Sequence, residues 1–421
     1  NSHYSSIIGG RNSEVNDTRY ASILGGCQNC ITGSSCYSSI IGGCRSCINN
    51  NSCYTSILGG GCHCVGDSAY TSIIGGRENT VYNSDYTSII GGCCNCITNN
   101  ADNASIIGGY YNCMGSADYS SIIGGCCNEL CCSRCSSIIG GANNYIGSYY
   151  SSSDASSIIG GCNNNISCGS QLSTVIGGCS NEICCDSCQS SIIGGYSNDI
   201  IDNNEGAVIL GGTYNNICCE SDHATIIGGY SNEICCFSCH SSIIGGCDNG
   251  ICGSSCNTVI IGGCDNRMCC SCNSVILGGQ GLNVCDRDNS VFLNATTYLK
   301  QTVESAEEIT VGAPGVTASF LDGSIKYLSS LSNDFQVDFT NFPDPSYANS
   351  VITYTLILNQ GATPYMITAL TINGGGTQTI KWNGGNVPTG TANQVDTIGL
   401  MFVYNNSGTL SQVLAQVGTF A

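Results

Sequence analysis

The sequence predicts an all-β protein: a parallel β-solenoid (β-helix or β-roll) of about 17 coils, followed by an antiparallel β-sandwich-like domain. Three observations predict it. A Gly-Gly pair recurs 17 times from Gly9 to Gly278, at steps of 16 or 17 residues with one step of 20. The positions around each pair repeat in kind. All 36 cysteines lie between Cys27 and Cys285, so the composition changes near residue 290. The implied division is a cysteine-rich shaft over 1–289, a neck over 290–318 and a β-rich tip or cap over 319–421.

Each coil is justified column by column. With the first Gly of the pair as position zero, position −2 is Ile in every copy except Val175, and position −1 is always Ile or Leu. Position +4 is Asn in 13 of the 17 copies, and position +6 is always apolar, from Val15 to Val284. A period this short has no room for two helices. It fits a strand, a Gly-Gly corner that uses positive φ, a second short strand and a polar return. A rise of about 4.8 Å per coil makes a rod of roughly 80 Å. Asn at +4 suits either a side-chain ladder from coil to coil or merely a turn. The long step, Gly140 to Gly160, contains "GSYYSSSDASS", a bulged-out loop.

Adjacent strand residues point to opposite faces. The pairs Ile7/Ile8, Ile23/Leu24 and Ile40/Ile41 therefore cannot both face a thin interior. One column fills the coil; the other forms a long apolar stripe that a soluble monomer avoids. Self-association is the economical cover, best as a parallel homotrimer in which equivalent coils meet at one height; a dimer also fits. Which column does which stays open at this stage.

The "SSIIGGxxNxI" repeats resemble the head repeats of YadA-type trimeric bacterial adhesins and repeats in phage and large-virus fibre proteins, over residues 1–285. After a stretch without a clean period come strand-like runs, among them "FQVDFTNF", "SVITYTLILNQG", "QTIKWNGG" and "TIGLMFVYNN", separated by turn signals such as "PDP" and "NGGG". Their combination resembles a C-terminal domain of tailed-phage tail fibres over about residues 320–421. The resemblance implies a trimeric tip on an elongated fibre and carries over no catalytic residue.

The cysteines fall in columns, and two kinds of pair suggest themselves. Within a coil these are Cys30/Cys36, Cys47/Cys53, Cys131/Cys135, Cys184/Cys188, Cys235/Cys239 and Cys252/Cys256; between neighbouring coils they are like-column pairs such as Cys27/Cys44 or Cys162/Cys179. Like-column neighbours sit about 4.8 Å apart at Cα, inside the disulfide range. Dense disulfides imply an extracellular or particle-surface setting. Zinc wants four converging ligands, and the columns run along a rod. Thiols used as small packing residues are the other alternative.

The remaining chemistry favours no active site, and the expectation is a protein without cofactor or metal. "GGxxNxI" lacks the third Gly and the carboxylate of a calcium-binding nonapeptide. Acidic residues such as Asp85, Asp102, Asp118 and Glu182 are scattered, as solubilising charge would be. Tyr4, Tyr20, Tyr37, Tyr54, Tyr70, Tyr86 and Tyr119 share position −5 and form either a stiffening aromatic ladder or a glycan-stacking stripe. Ten Lys and Arg against 29 Asp and Glu argue against nucleic-acid binding. No run is long and apolar enough for a membrane helix, so membrane insertion is not expected. The chain starts at Asn1 inside a repeat, as a processed or truncated piece would. The sum is a non-enzymatic fibre protein on a virus particle's surface, self-associating, joined to other virion or tail proteins, and attaching to a host receptor, glycan or protein. The alternatives are a cellular adhesin or extracellular filament and, less favoured, a tailspike-like glycan depolymerase.

Overall fold

A computed structural model describes residues 2–148, 151–293, 306–311, 315–342, 350–405, 407 and 409–420. The chain divides into two compact units, Asn1–Thr297 and Tyr298–Ala421. Most of the expected neck, 294–305 and 312–314, lies outside the described residues, as do Tyr149 and Tyr150 of the long step.

The first unit is a parallel β-solenoid built from two ladders. One ladder stacks the "SII" strands, Ser6–Ile8 on Ser22–Leu24 on Ser39–Ile41 and onward to Val291–Leu293, 18 strands in all. The other stacks the short strands that follow each Gly-Gly corner, from Glu14–Val15 to Asn283–Cys285. Pairing is parallel and in register, so like columns lie on like columns.

Five columns point inward. Two are apolar: position −2 (Ile23, Ile40, Ile57) and position +6 (Ile31, Ile48, Val65), all 0% exposed. Three are polar or small, and they solve one problem. At each corner a backbone N–H faces inward beyond the end of a sheet ladder, and a buried N–H needs an acceptor. The preceding coil's side chain supplies it. At +4, Asn249 N–H donates to Asn232 Oδ1 (3.1 Å) and Asn266 N–H to Asn249 Oδ1 (3.1 Å). At −4, Ser136 N–H donates to Ser120 Oγ (3.1 Å). At −7, Ser52 N–H donates to Ser35 Oγ (3.2 Å). The Asn amides also donate to corner carbonyls of the next coil, as Asn29 Nδ2 does to Gly42 O (3.0 Å). The +4 Asn column is therefore a buried ladder. His63 takes the same place in its coil, accepting Asn79 N–H at Nδ1 (3.3 Å), and burial holds its pKa down.

The two glycines of each corner are not equivalent. At Gly194, φ is +71° and a Cβ would meet open space. At Gly195, φ is +86° and a Cβ would overlap Asn198 Nδ2 and the Gly212 carbonyl oxygen. The first glycine is needed for its dihedral, the second for its dihedral and for room.

The second unit has two sheets. Six strands lie in the order Ala306–Thr310, Ile325–Ser329, Val351–Asn359, Val395–Tyr404, Leu410–Phe420, Ile380–Trp382; three more lie in the order Gly315–Ser319, Phe335–Thr340, Ile367–Ile372. The expectation of an antiparallel sandwich needs correction, because the sheets are mixed. From Ala306 to Ile372 successive strands alternate between the two sheets, so each pairs in parallel with the strand two places on. Among the described strands, antiparallel pairing joins Val351–Asn359 to Val395–Tyr404 and Val395–Tyr404 to Leu410–Phe420, with one isolated antiparallel bridge between Leu370 and Gln378. Phe335, Phe339, Tyr354, Leu356, Leu400 and Phe402 fill the space between the sheets.

Candidate functional surfaces

The strand geometry decides between the paired isoleucines. Ile23 and Ile40 are fully buried; Leu24 and Ile41 are 42% and 46% exposed. The same division holds down the ladder, ending with Ile276 inside and Leu277 outside. Ile7 and Ile8, in the end coil, are both exposed. Position −1 is thus an outward stripe of Ile and Leu, flanked on the same strands by the −3 residues, mostly Ser.

The tyrosine column is a true stack over six coils. Tyr4, Tyr20, Tyr37, Tyr54, Tyr70 and Tyr86 follow one another with ring centroids 4.7–5.1 Å apart and nearly parallel planes. Each tyrosine has a φ near +56°, a conformation that costs a side-chain-bearing residue energy; ring stacking offsets part of that cost. Asn103 interrupts the column before Tyr119. Sugars stack on ring faces. Here neighbouring rings cover each other's faces, so the stripe offers edges and hydroxyls to solvent.

The cysteines follow the register. Cys96 and Cys113, partners in adjacent +5 strands, form a disulfide with Cα atoms 4.7 Å apart. Cys30 faces Cys47 across the ladder, as Cys27 faces Cys44 and Cys162 faces Cys179. A hydrogen bond from Cys162 favours the thiolate of Cys179 and pushes the Cys162 thiol up. Cys247 and Cys264 bring their sulfurs to 2.7 Å, Cys252 and Cys269 to 2.9 Å. Sequence neighbours approach as well: Cys131 Sγ lies 3.2 Å from Cys132 Sγ and Cys184 Sγ 3.2 Å from Cys185 Sγ. Burial first, and then the Cys132 hydrogen bond, push Cys131 up to about 12.

The second members of the within-coil pairs sit at different corners from the first. Cys36, Cys53, Cys188, Cys239 and Cys256 share a corner column whose sulfurs meet the backbone of the preceding coil. Cys36 N–H donates to Cys53 Sγ (3.2 Å), and the thiols of Cys188, Cys239 and Cys256 lie 3.3–3.5 Å from Gly169, Glu220 and Phe237 carbonyls. Cys135 instead continues the tyrosine column, with φ +57°. Aspartates take the corner role in other coils: Ala69 N–H donates to Asp85, Asp85 N–H to Asp102 (both 2.7 Å) and Asp102 N–H to Asp118 (2.9 Å). Their charge is solvated, but each carboxylate also holds the coil before it. The preference for Asp or Cys at position −6, in 11 of the 17 coils, was the available sequence signal.

Among the described residues three clusters place three donor atoms within 4.8 Å: Glu78/Cys93/Cys94, Cys218/Glu233/Cys235 and Cys247/Asp248/Cys264. Each falls one short of the four ligands of a structural zinc. Glu182 and Asp199 stack on adjacent coils; burial and then the Glu182 charge raise Asp199 to about 6, while Asn165 Nδ2 donates to Glu182 (2.7 Å). In the second unit, a groove of about 500 Å³ runs over the six-stranded sheet, lined by Thr353, Thr355, Trp382, Met401 and Gln416. Trp382 belongs to both places, packing against the core and lining the groove. No helix of the described residues is long and apolar enough to cross a membrane.

Compared with known proteins, the chain matches no protein-family model and no curated protein. The class defined by the fold is therefore the statement that stands: a cysteine-rich β-solenoid repeat protein with a mixed-sheet C-terminal domain.

Proposed function

We propose that this chain is a structural fibre protein of a virus particle, a non-enzymatic shaft that self-associates as a parallel homotrimer, followed in the chain by the second unit, and that it mediates attachment to a host surface. The observation that carries the reading is the unpartnered position −1 stripe. Fully burying an Ile or Leu yields about 1.5–3 kcal/mol, so covering residues that are roughly 40% exposed yields about 1 kcal/mol each. Seventeen such residues exceed an association cost of ~4–15 kcal/mol. In a parallel assembly the stripe meets itself coil for coil. The similarity to phage tail-fibre domains and viral fibre repeats supplies the setting, the particle's exterior, and the partners, other virion proteins and a host-surface glycan or protein.

Sedimentation equilibrium of the full chain tests the assembly: three times the chain mass is expected, and replacing Ile123, Ile139, Ile159 and Ile176 with Asp should return a folded single chain. A wild-type chain that sediments as a monomer at micromolar concentration overturns it. Antibodies against the solenoid should then decorate projecting filaments on intact particles from the source. Decoration of a cell surface instead would favour the adhesin reading.

A further inference from the structure

The longest cysteine ladder has an odd number of members. Cys218, Cys235, Cys252, Cys269 and Cys285 occupy the same place in five consecutive coils. Register pairs Cys252 with Cys269 and Cys269 with Cys285. Backbone bonds from Cys218 to Ile234 (2.9 Å) and from Cys235 to Ile251 (2.9 Å) carry the same register upward. Cα spacing in such a pair is 4.7 Å where the structure closes one, at Cys96–Cys113, and that spacing lies inside the range a disulfide accepts.

We infer that this ladder is an oxidative modification site: it closes into two coil-to-coil disulfides and keeps one thiol that moves along the column by thiol–disulfide exchange. The inference is independent of the fibre proposal. Closing two disulfides removes four electrons and four protons from four thiols. A low-molecular-weight disulfide such as oxidised glutathione accepts them, two molecules giving four thiols. Exchange then needs no further oxidant. The thiolate of the third cysteine attacks the second sulfur of a first–second disulfide, a new second–third bond forms, and the first cysteine leaves as a thiolate. The column favours this step. Its members stack in register, and Cys252 and Cys269 already bring their sulfurs to 2.9 Å, so the free thiol has the neighbouring disulfide beside it on the same ladder.

Nearest-neighbour pairing imposes a parity rule. With two bonds closed, the free thiol resides at Cys218, Cys252 or Cys285, and never at Cys235 or Cys269. The competing vicinal bond, Cys235–Cys236 or Cys269–Cys270, closes a small ring around one peptide unit and strains its planarity.

The test uses the full chain, oxidised with glutathione disulfide, quenched in acid, alkylated with N-ethylmaleimide, and digested with pepsin for mass spectrometry. One alkylated cysteine per ladder is expected, shared among Cys218, Cys252 and Cys285. Cys285→Ser should lose that residual label and yield only Cys218–Cys235 and Cys252–Cys269. Cys285 is the one exposed member of the ladder, so a bulky thiol reagent, read at the Cys285 peptide, should label it to nearly one per chain with time. Label on Cys235 or Cys269, vicinal or Cys252–Cys256 links, or five free thiols in a sample where Cys96–Cys113 has closed would overturn the inference. A plateau at Cys285 well below one per chain would overturn the migration.

Discussion

Asn232→Ala isolates what one rung of the amide ladder contributes. Asn232 is fully buried; its Oδ1 accepts the Asn249 N–H (3.1 Å) and Nδ2 (3.2 Å), and its Nδ2 donates to Asn215 Oδ1 (3.2 Å) and Gly246 O (3.3 Å). Truncation strands a buried backbone N–H, at about 1–3 kcal/mol, and removes further bonds worth about 1 kcal/mol net. A local loss of about 3 kcal/mol follows, since the site is fully buried. The assay is native-state hydrogen exchange at the Asn249 amide and its neighbours. Protection should fall by roughly 100-fold, because 1.4 kcal/mol is a factor of ten. The protein contains its own control: Ser46 stands in this column and its Oγ accepts the His63 N–H (3.4 Å). Asn232→Ser should therefore lose much less than Asn232→Ala. If both lose equally, or if Ala leaves protection within a factor of two, the column fills space and the acceptor argument fails.

Three further outcomes are expected. Gly194→Ala should cost about 1–2 kcal/mol, the left-handed penalty alone, whereas Gly195→Ala should open its coil to limited proteolysis. Asp199 has a folded pKa near 6, above an unfolded value of about 3.9. Its contribution is therefore present below about pH 4 and lost as pH rises through 6. Asp199→Asn should remove that part of the pH dependence of the urea midpoint and be the more stable protein at pH 7. In the second unit, fully buried Lys326 donates to Glu307 (2.7 Å) and to the Asp322 carbonyl (2.9 Å). Glu307→Gln should lower that unit's thermal stability by about 2–3 kcal/mol, less than a fully buried pair because Glu307 is half exposed, and adding Lys326→Met should recover most of it.

The solenoid was legible because its columns repeat: Ile at −2, the glycine corner and the apolar +6 position define two strands and a turn. The direction of each isoleucine was not, since alternation alone lacks an origin. The origin lies in the small −4 residues, which alternation puts on the same side as −2, but Ser beside Ile looks like ordinary turn chemistry. Ser120 and Ser136 disclose their role only when the N–H of the next coil is seen above them. Cysteine pairing followed the like-column rule at Cys96–Cys113, a pair the sequence offered no reason to choose over its neighbours. The all-β character of the second unit was legible, but its mixed pairing was not, because a list of strands does not say which sheet each joins. Phe335–Thr340 and Val351–Asn359 are consecutive, yet they lie in different sheets.

The long step between Gly140 and Gly160 leaves both ladders intact. Ser153 N–H still reaches Ser133 Oγ (3.1 Å) and Asn164 N–H still reaches Asn144 Oδ1 (3.0 Å), each across 20 residues. The longer step therefore adds nothing to the axial count. The unit therefore keeps its measure like a ruler with engraved divisions of about 4.8 Å. Gene duplication or deletion of whole repeats changes its reach in integer steps, while insertions at the corners alter ornament without touching length.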